Sequence, residues 1–159
     1  MKNKLPEILI GIDAGTNTGF ALGYSGSLKI VCRLKIHEAM ERVKNEIIYA
    51  KVSNKTVWVR VEDARKGRIP PKTGAEVLQG VGSVKRDCTI WEDFLTQLKA
   101  DFGDVLMFEM VAPLKNPYRK INQTEFQKMT GYEKQTNEHG RDAAGLIWDY
   151  VKLGKFQAA

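Results

Sequence analysis

The chain has 159 residues, of which 43% are hydrophobic and 28% are charged, and this balance excludes a disordered chain and predicts a single globular domain over residues 1–159. Its 25 Lys and Arg outnumber its 19 Asp and Glu, which favours a polyanionic partner such as nucleic acid. No apolar run approaches the roughly 18 residues of a membrane span, so no membrane partner is expected.

Apolar periodicity and turn residues predict alternating strands and helices along the chain. The first strand is a short apolar run that ends in Asp13, and the next two form a hairpin around Gly26. In chain order the predicted elements are strands over 8–13, 20–24 and 28–34, a helix over 37–51, a strand over 56–63, a helix over 74–98, a strand over 104–111, a short helix over 124–129 and a final helix over 138–151.

The order of these elements predicts an α/β fold with a mixed five-stranded sheet flanked by helices. The first three strands are joined by short turns, so we expect them to be antiparallel neighbours. Strand 56–63 follows a helix, and a strand–helix–strand connection of this length places it parallel to the first strand. The first strand would then be central, with three antiparallel strands followed by two parallel ones.

Acidic residues end two of the strands that are predicted to be neighbours. Asp13 lies in the glycine-rich run 11–19, whose small residues leave room for a metal ion and a phosphate, and Glu62 lies at the acidic end of the fourth strand. On the last helix, His139 and Asp142 are three residues apart and therefore share one face. Carboxylate oxygens suit Mg²⁺, and two such ions can promote phosphodiester cleavage. We therefore predict a shared metal site.

Each of these residues also has an ordinary explanation. Asp13 can satisfy the amides of a turn, Glu62 can be a solvated acid, and Asp142 can complement a helix dipole. Taken singly, these explanations are the commoner ones. All of them would have to hold together, however, and three acids at three element ends in a basic chain make that combination less attractive.

The combined motifs resemble those of the RuvC-type Holliday-junction resolvases, within the RNase H-like nuclease superfamily. The matching residues are Gly11-Ile12-Asp13-Ala14-Gly15-Thr16-x-Thr18-Gly19, Val61-Glu62 and His139-x-x-Asp142-Ala143-Ala144. The resemblance implies that Asp13, Glu62 and Asp142 are catalytic ligands of Mg²⁺ or Mn²⁺. His139 occupies a position where the family pattern has an acid, and a neutral imidazole there can hold a metal or a water.

The resemblance further implies that a homodimer cuts branched DNA, each subunit cutting one strand to leave a 5′-phosphate and a 3′-hydroxyl. Two basic loops could hold phosphates near the site, although solvation of their charges is an equal alternative. The predicted nucleic-acid-binding residues are Lys66, Arg68 and Lys72 in the first loop and Lys115, Arg119 and Lys120 in the second.

Two other functions stay open on the sequence. One is an RNase H-like nuclease that acts on RNA or an RNA–DNA hybrid, and the other is a catalytically silent nucleic-acid-binding module. The N-terminal residues lack an apolar signal segment, so we expect a cytoplasmic protein. Cys32 and Cys88 are too few and too far apart for a disulfide framework, and we expect reduced thiols.

Overall fold

The structure, a computed structural model, describes residues 5–69, 71–115 and 120–157. As far as residue 137, its strands and helices occur in the order that the sequence predicts. They are β1 (Ile8–Asp13), β2 (Asn17–Tyr24), β3 (Ser27–Lys35), α1 (Ile36–Val52), β4 (Val57–Glu62), α2 (Ala75–Phe102), β5 (Leu106–Val111), α3 (Gln123–Thr130), α4 (Glu138–Gly145) and α5 (Trp148–Gln157).

The five strands form one sheet in the order β3-β2-β1-β4-β5. β1 pairs antiparallel with β2, and β2 pairs antiparallel with β3. β4 is parallel to β1, and β5 is parallel to β4. The predicted α/β fold, with three antiparallel strands followed by two parallel ones and β1 in the centre, is therefore confirmed.

The two faces of the sheet carry separate hydrophobic clusters. Ile10 and Ile12 of β1 belong to the cluster that includes residues of α1 and α2. Leu9, on the opposite face, belongs to the cluster that includes α4 and α5. Because side chains alternate along a strand, Asp13 lies on the same face as Leu9 and therefore on the side of α4.

Helix α4 lies unusually close to the sheet because glycines line the contact. A Cβ atom added to Gly11 would lie 2.0 Å from the carbonyl oxygen of Ala143, and one added to Gly19 would lie 1.9 Å from that of His139. On the helix side, a Cβ added to Gly140 would lie 3.0 Å from the backbone nitrogen of Cys32. The room that the sequence assigned to a metal and a phosphate is thus occupied, at Gly11 and Gly19, by the backbone of α4.

The predicted single helix over 138–151 is wrong, since the structure has two helices there. α4 ends at Gly145, and the chain continues through Leu146 and Ile147 before α5 begins at Trp148. At the break the amides of Leu146 and Ile147 donate to carbonyls three residues earlier, at 3.2 and 3.1 Å. Such bonds tighten the last turn of a helix and change the direction of the chain.

Other element ends differ from the predictions by a few residues. β2 begins at Asn17 rather than at residue 20, and the hydroxyl of the buried Thr18 donates to the carbonyl of Gly15 at 2.8 Å. β5 begins at Leu106 rather than at residue 104, after a short 3-10 turn over Gly103–Val105. Within the described ranges, no helix is both long enough and apolar enough to cross a membrane.

Candidate active site

The two acids at the strand ends are direct neighbours. Asp13 and Glu62 are paired residues of the parallel strands β1 and β4, each at the last position of its strand. The side chain of Asp13 is 18% exposed, and Glu62 is half-buried. The prediction that these acids lie at the ends of neighbouring parallel strands is therefore matched by the register.

His139 contacts Asp13 directly. The Nδ1 atom of His139 lies 3.0 Å from Oδ2 of Asp13. An ionised carboxylate can only accept a hydrogen bond, so whenever Asp13 is ionised, Nδ1 of His139 is the donor in this pair. A neutral imidazole then has its lone pair on Nε2, where it can accept a proton from water or bind a metal.

The start of α4 explains how His139 reaches Asp13. The side chain of Asn137 accepts a hydrogen bond from the backbone nitrogen of Gly140 at 2.8 Å and so caps the helix. This cap places His139 in the first turn, and the contact of its carbonyl with Gly19 seats that turn on β2. The position of His139 thus depends on the Asn137 cap and on the absence of a side chain at Gly19.

Burial and neighbouring acids raise the pKa of Asp13 to about 6. Burial is the largest cause, and the negative charges of Asp142 and Glu138 act in the same direction, whereas the hydrogen bond from His139 opposes them. Burial, followed by repulsion from Glu138, likewise raises the pKa of Asp142, and the backbone N–H of Lys120 opposes this by donating to that carboxylate. The site therefore brings several negative charges together where they are partly shielded from solvent.

The chemistry of these side chains suits a divalent cation, but the side chains are not grouped closely enough to coordinate one. Within 5–69, 71–115 and 120–157, no three His, Cys, Asp or Glu side chains are grouped so as to hold a metal ion. The donors are nevertheless hard carboxylate oxygens, and the raised pKa of Asp13 marks a buried carboxylate near other acids, whose negative charge a cation would stabilise. Asp13, Glu62 and Asp142 are the residues that would hold Mg²⁺ or Mn²⁺, with His139 beside them.

The predicted phosphate-binding residues differ in their exposure and in their hydrogen bonds. Lys66 donates from Nζ to the carbonyl oxygen of Met110 at 2.6 Å, so its charge is held against the end of β5. Lys120 reaches the site through its backbone, as described for Asp142. The remaining residues divide into Arg68, Lys72 and Lys115, which are exposed, and Arg119, which lies outside the described residues.

A buried ion pair that the sequence did not predict fixes the chain just after Glu62. Asp63 is only 1% exposed, and its carboxylate accepts hydrogen bonds from the Arg65 guanidinium at 2.8 Å. Arg65 also binds Glu92 of α2 at 2.6 Å. The hydrogen bonds from Arg65 lower the pKa of Asp63. Of the two adjacent acids, Asp63 is therefore structural, and Glu62 is the one that ends β4 opposite Asp13.

Sequence reasoning also missed Arg33. Asp13 pairs with Gly19, and Gly19 pairs with Arg33, so the three residues form one row across the sheet and share a face. Two strand spacings put Arg33 about 10 Å from Asp13. Its side chain is exposed and makes no hydrogen bond or ion pair with the residues that the structure describes. Only the register of the hairpin, applied to the sequence, could have identified it.

Comparison with known proteins adds no assignment. Neither the models of known protein families nor the curated proteins that were searched include a match to this chain.

Proposed function

We propose that this protein is a metal-dependent endonuclease that hydrolyses phosphodiester bonds in branched DNA, with Holliday junctions as its substrate. The observation that carries the proposal is the contact of His139 with Asp13 at 3.0 Å. Asp13 is paired with Glu62 on the neighbouring strand, and the negative charge of Asp142 acts on it. A basic chain supports a polyanionic substrate, since 25 Lys and Arg oppose 19 Asp and Glu.

In this proposal each side chain has a separate role. Asp13, Glu62 and Asp142 bind Mg²⁺ or Mn²⁺, which when bound would activate a water and stabilise the leaving oxygen. Asp13 also fixes the imidazole of His139, whose Nε2 accepts a proton from the attacking water. A pKa of about 6 for Asp13 leaves most of this carboxylate ionised at neutral pH, as a ligand must be.

The substrate class and the assembly follow from the family resemblance and are part of the proposal. We propose that two copies act together, because resolving a four-way junction requires a cut in each of two strands. We also propose that the protein acts in the cytoplasm, which stays an expectation from the sequence.

The direct test uses purified protein and labelled substrates in Mg²⁺ and, separately, Mn²⁺. We expect paired symmetric nicks in a four-way junction and little cutting of duplex or single-stranded DNA. Cutting of an RNA–DNA hybrid with an intact junction would instead support a nuclease with another substrate. Junction binding without cleavage in either metal would support a silent binding module.

Arg33 provides a prediction about substrate contact. We expect Arg33→Gln to weaken junction binding and to lower the slope of log K against log salt by about one, because one phosphate contact is lost. Binding is measured by fluorescence anisotropy in EDTA at several salt concentrations. Since Arg33 is exposed, the substitution should leave the free energy of unfolding unchanged to within about 0.5 kcal/mol.

Lys29→Gln is the matched control for Arg33→Gln. Lys29 lies on the same strand about 13 Å further from the site, and its Nζ is 4.8 Å from the centre of the Tyr24 ring. Removing its charge changes the net charge equally but should leave the salt slope near that of the parent protein. Equal slopes for both variants would exclude a local phosphate contact at Arg33.

A further inference from the structure

Arg60 lies in the middle of β4, two residues before Glu62 and on the same face of the sheet. It is paired in register with Gly11 on one side and with Glu109 on the other. Its side chain is only 12% exposed. Arginine is seldom this buried unless its charge is matched by specific partners, so the partners indicate its role.

The guanidinium of Arg60 is bound on four sides. Nη1 donates to the backbone carbonyl of Leu146 at 2.5 Å, and Nε donates to the carboxylate of Glu109 at 3.2 Å. The rings of Trp58 and Tyr150 lie on the guanidinium, with centroids 5.1 and 4.8 Å away. Because a planar guanidinium can stack and donate at the same time, lysine cannot replace all of these contacts.

The carbonyl that Arg60 binds belongs to the break between α4 and α5. Leu146 follows the last residue of α4, where helix carbonyls lack partners within the helix. A cation here satisfies one such carbonyl and also complements the negative end of the helix dipole. Arg60 therefore connects the end of α4 to β4 by a hydrogen bond, and it also contacts α5 by stacking on Tyr150.

We propose that Arg60 is a positioning residue that fixes α4 along its axis, so that His139 and Asp142 stay in register with Asp13 and Glu62. This inference rests on the proposed function, which assigns those four residues to one site. The glycine contacts at Gly11 and Gly19 hold α4 against the sheet, and Arg60 acts at its end. α4 has only eight residues, so a shift at Leu146 is transmitted along the helix to His139.

The test compares Arg60→Met, Arg60→Lys and Ile47→Val in the full chain. Arg60→Met keeps an unbranched side chain but removes the donors and the charge. Ile47→Val loosens the core from α1, on the other face of the sheet, and controls for a general loss of stability. Two quantities are measured without DNA: amide hydrogen exchange of α4 and the Kd for Mn²⁺, followed by the loss of the electron paramagnetic resonance signal of free Mn²⁺.

We expect Arg60→Met to speed exchange in α4 relative to Ile47→Val and to weaken Mn²⁺ binding by about 10-fold or more, as changes to residues behind metal ligands do. Arg60→Lys should recover part of the Mn²⁺ affinity. Unchanged exchange in α4, or faster exchange with parental Mn²⁺ affinity, would overturn the positioning role. If the parent protein binds no Mn²⁺ and nicks no junction, the proposed function fails, and the exchange data alone decide whether Arg60 holds α4.

Discussion

Asp13→Asn is expected to reduce junction nicking at pH 7 by about 10³-fold, which corresponds to about 4 kcal/mol of lost transition-state stabilisation. The same substitution is expected to make the folded protein more stable. Both effects have one cause, the burial of a carboxylate among other acids, which raises its pKa to about 6. Such a conflict between stability and activity is typical of functional sites.

The sign of the stability effect follows from proton binding. The folded protein binds a proton at Asp13 more tightly than the unfolded chain does, since the pKa rises from 3.8 to about 6. Protonation therefore stabilises the fold fully below about pH 3.8, and this stabilisation is lost as the pH rises through about 6. Asparagine resembles the protonated acid, so above pH 6 the variant should be more stable by about 1 to 3 kcal/mol.

Urea unfolding in EDTA at pH 7.5 and at pH 4 measures this effect. The advantage of Asp13→Asn should be clear at pH 7.5 and small at pH 4. Mg²⁺ should raise the unfolding midpoint of the parent protein but not that of the variant. Asp93→Asn, at an exposed position of α2, is the control. It should change neither the free energy of unfolding nor the effect of Mg²⁺ on the unfolding midpoint. A destabilised Asp13→Asn protein at pH 7.5 would contradict the argument, and parental nicking activity would remove Asp13 from the site.

Gly19→Ala is expected to destabilise the fold by about 3 kcal/mol or more and to abolish nicking, because the added methyl group meets backbone rather than a movable side chain. Its Cβ would lie 1.9 Å from the carbonyl oxygen of His139 and 2.9 Å from Cβ of Asp13. To relieve this overlap the first turn of α4 must move away from β2. The contact between His139 and Asp13 would then be lost.

Gly15→Ala is the matched control in the same motif. The nearest atom to a Cβ at this position is the carbonyl oxygen of Asn17 at 3.7 Å, an ordinary contact. We expect its free energy of unfolding to stay within about 0.5 kcal/mol of the parent value. Urea unfolding decides between the two, and a Gly19→Ala protein as stable as Gly15→Ala would show that α4 is not seated on β2 in the way described.

Local patterns predicted most of the fold correctly. The apolar run of β1, the hairpin that follows it and the helix before β4 each depend on residues close together in the chain, so their order and direction could be read without coordinates. The placement of Asp13 beside Glu62 followed from the parallel strands. The ends of elements were less accurate, as at β5, because a 3-10 turn replaces the first residues of the expected strand.

The break between α4 and α5 could not be predicted in this way. The apolar spacing over 138–151 suits one continuous helix, and neither Leu146 nor Ile147 disfavours helix as proline does. At this break Arg60, which is 86 positions away in the chain, donates a hydrogen bond to the carbonyl of Leu146. Contacts between distant segments leave no periodic signal in either segment.

By itself the sequence determined the α/β sheet, the position of each acid at an element end and the basic charge of the chain, because these depend on residue type and local spacing. Only the tertiary structure decided what the glycines are for, since Gly11 and Gly19 make room for the backbone of α4 rather than for a phosphate. It likewise separated the structural Asp63 from Glu62 and brought His139 to Asp13. Which of several similar residues enters a site depends on packing between elements, and packing is a property of the folded chain.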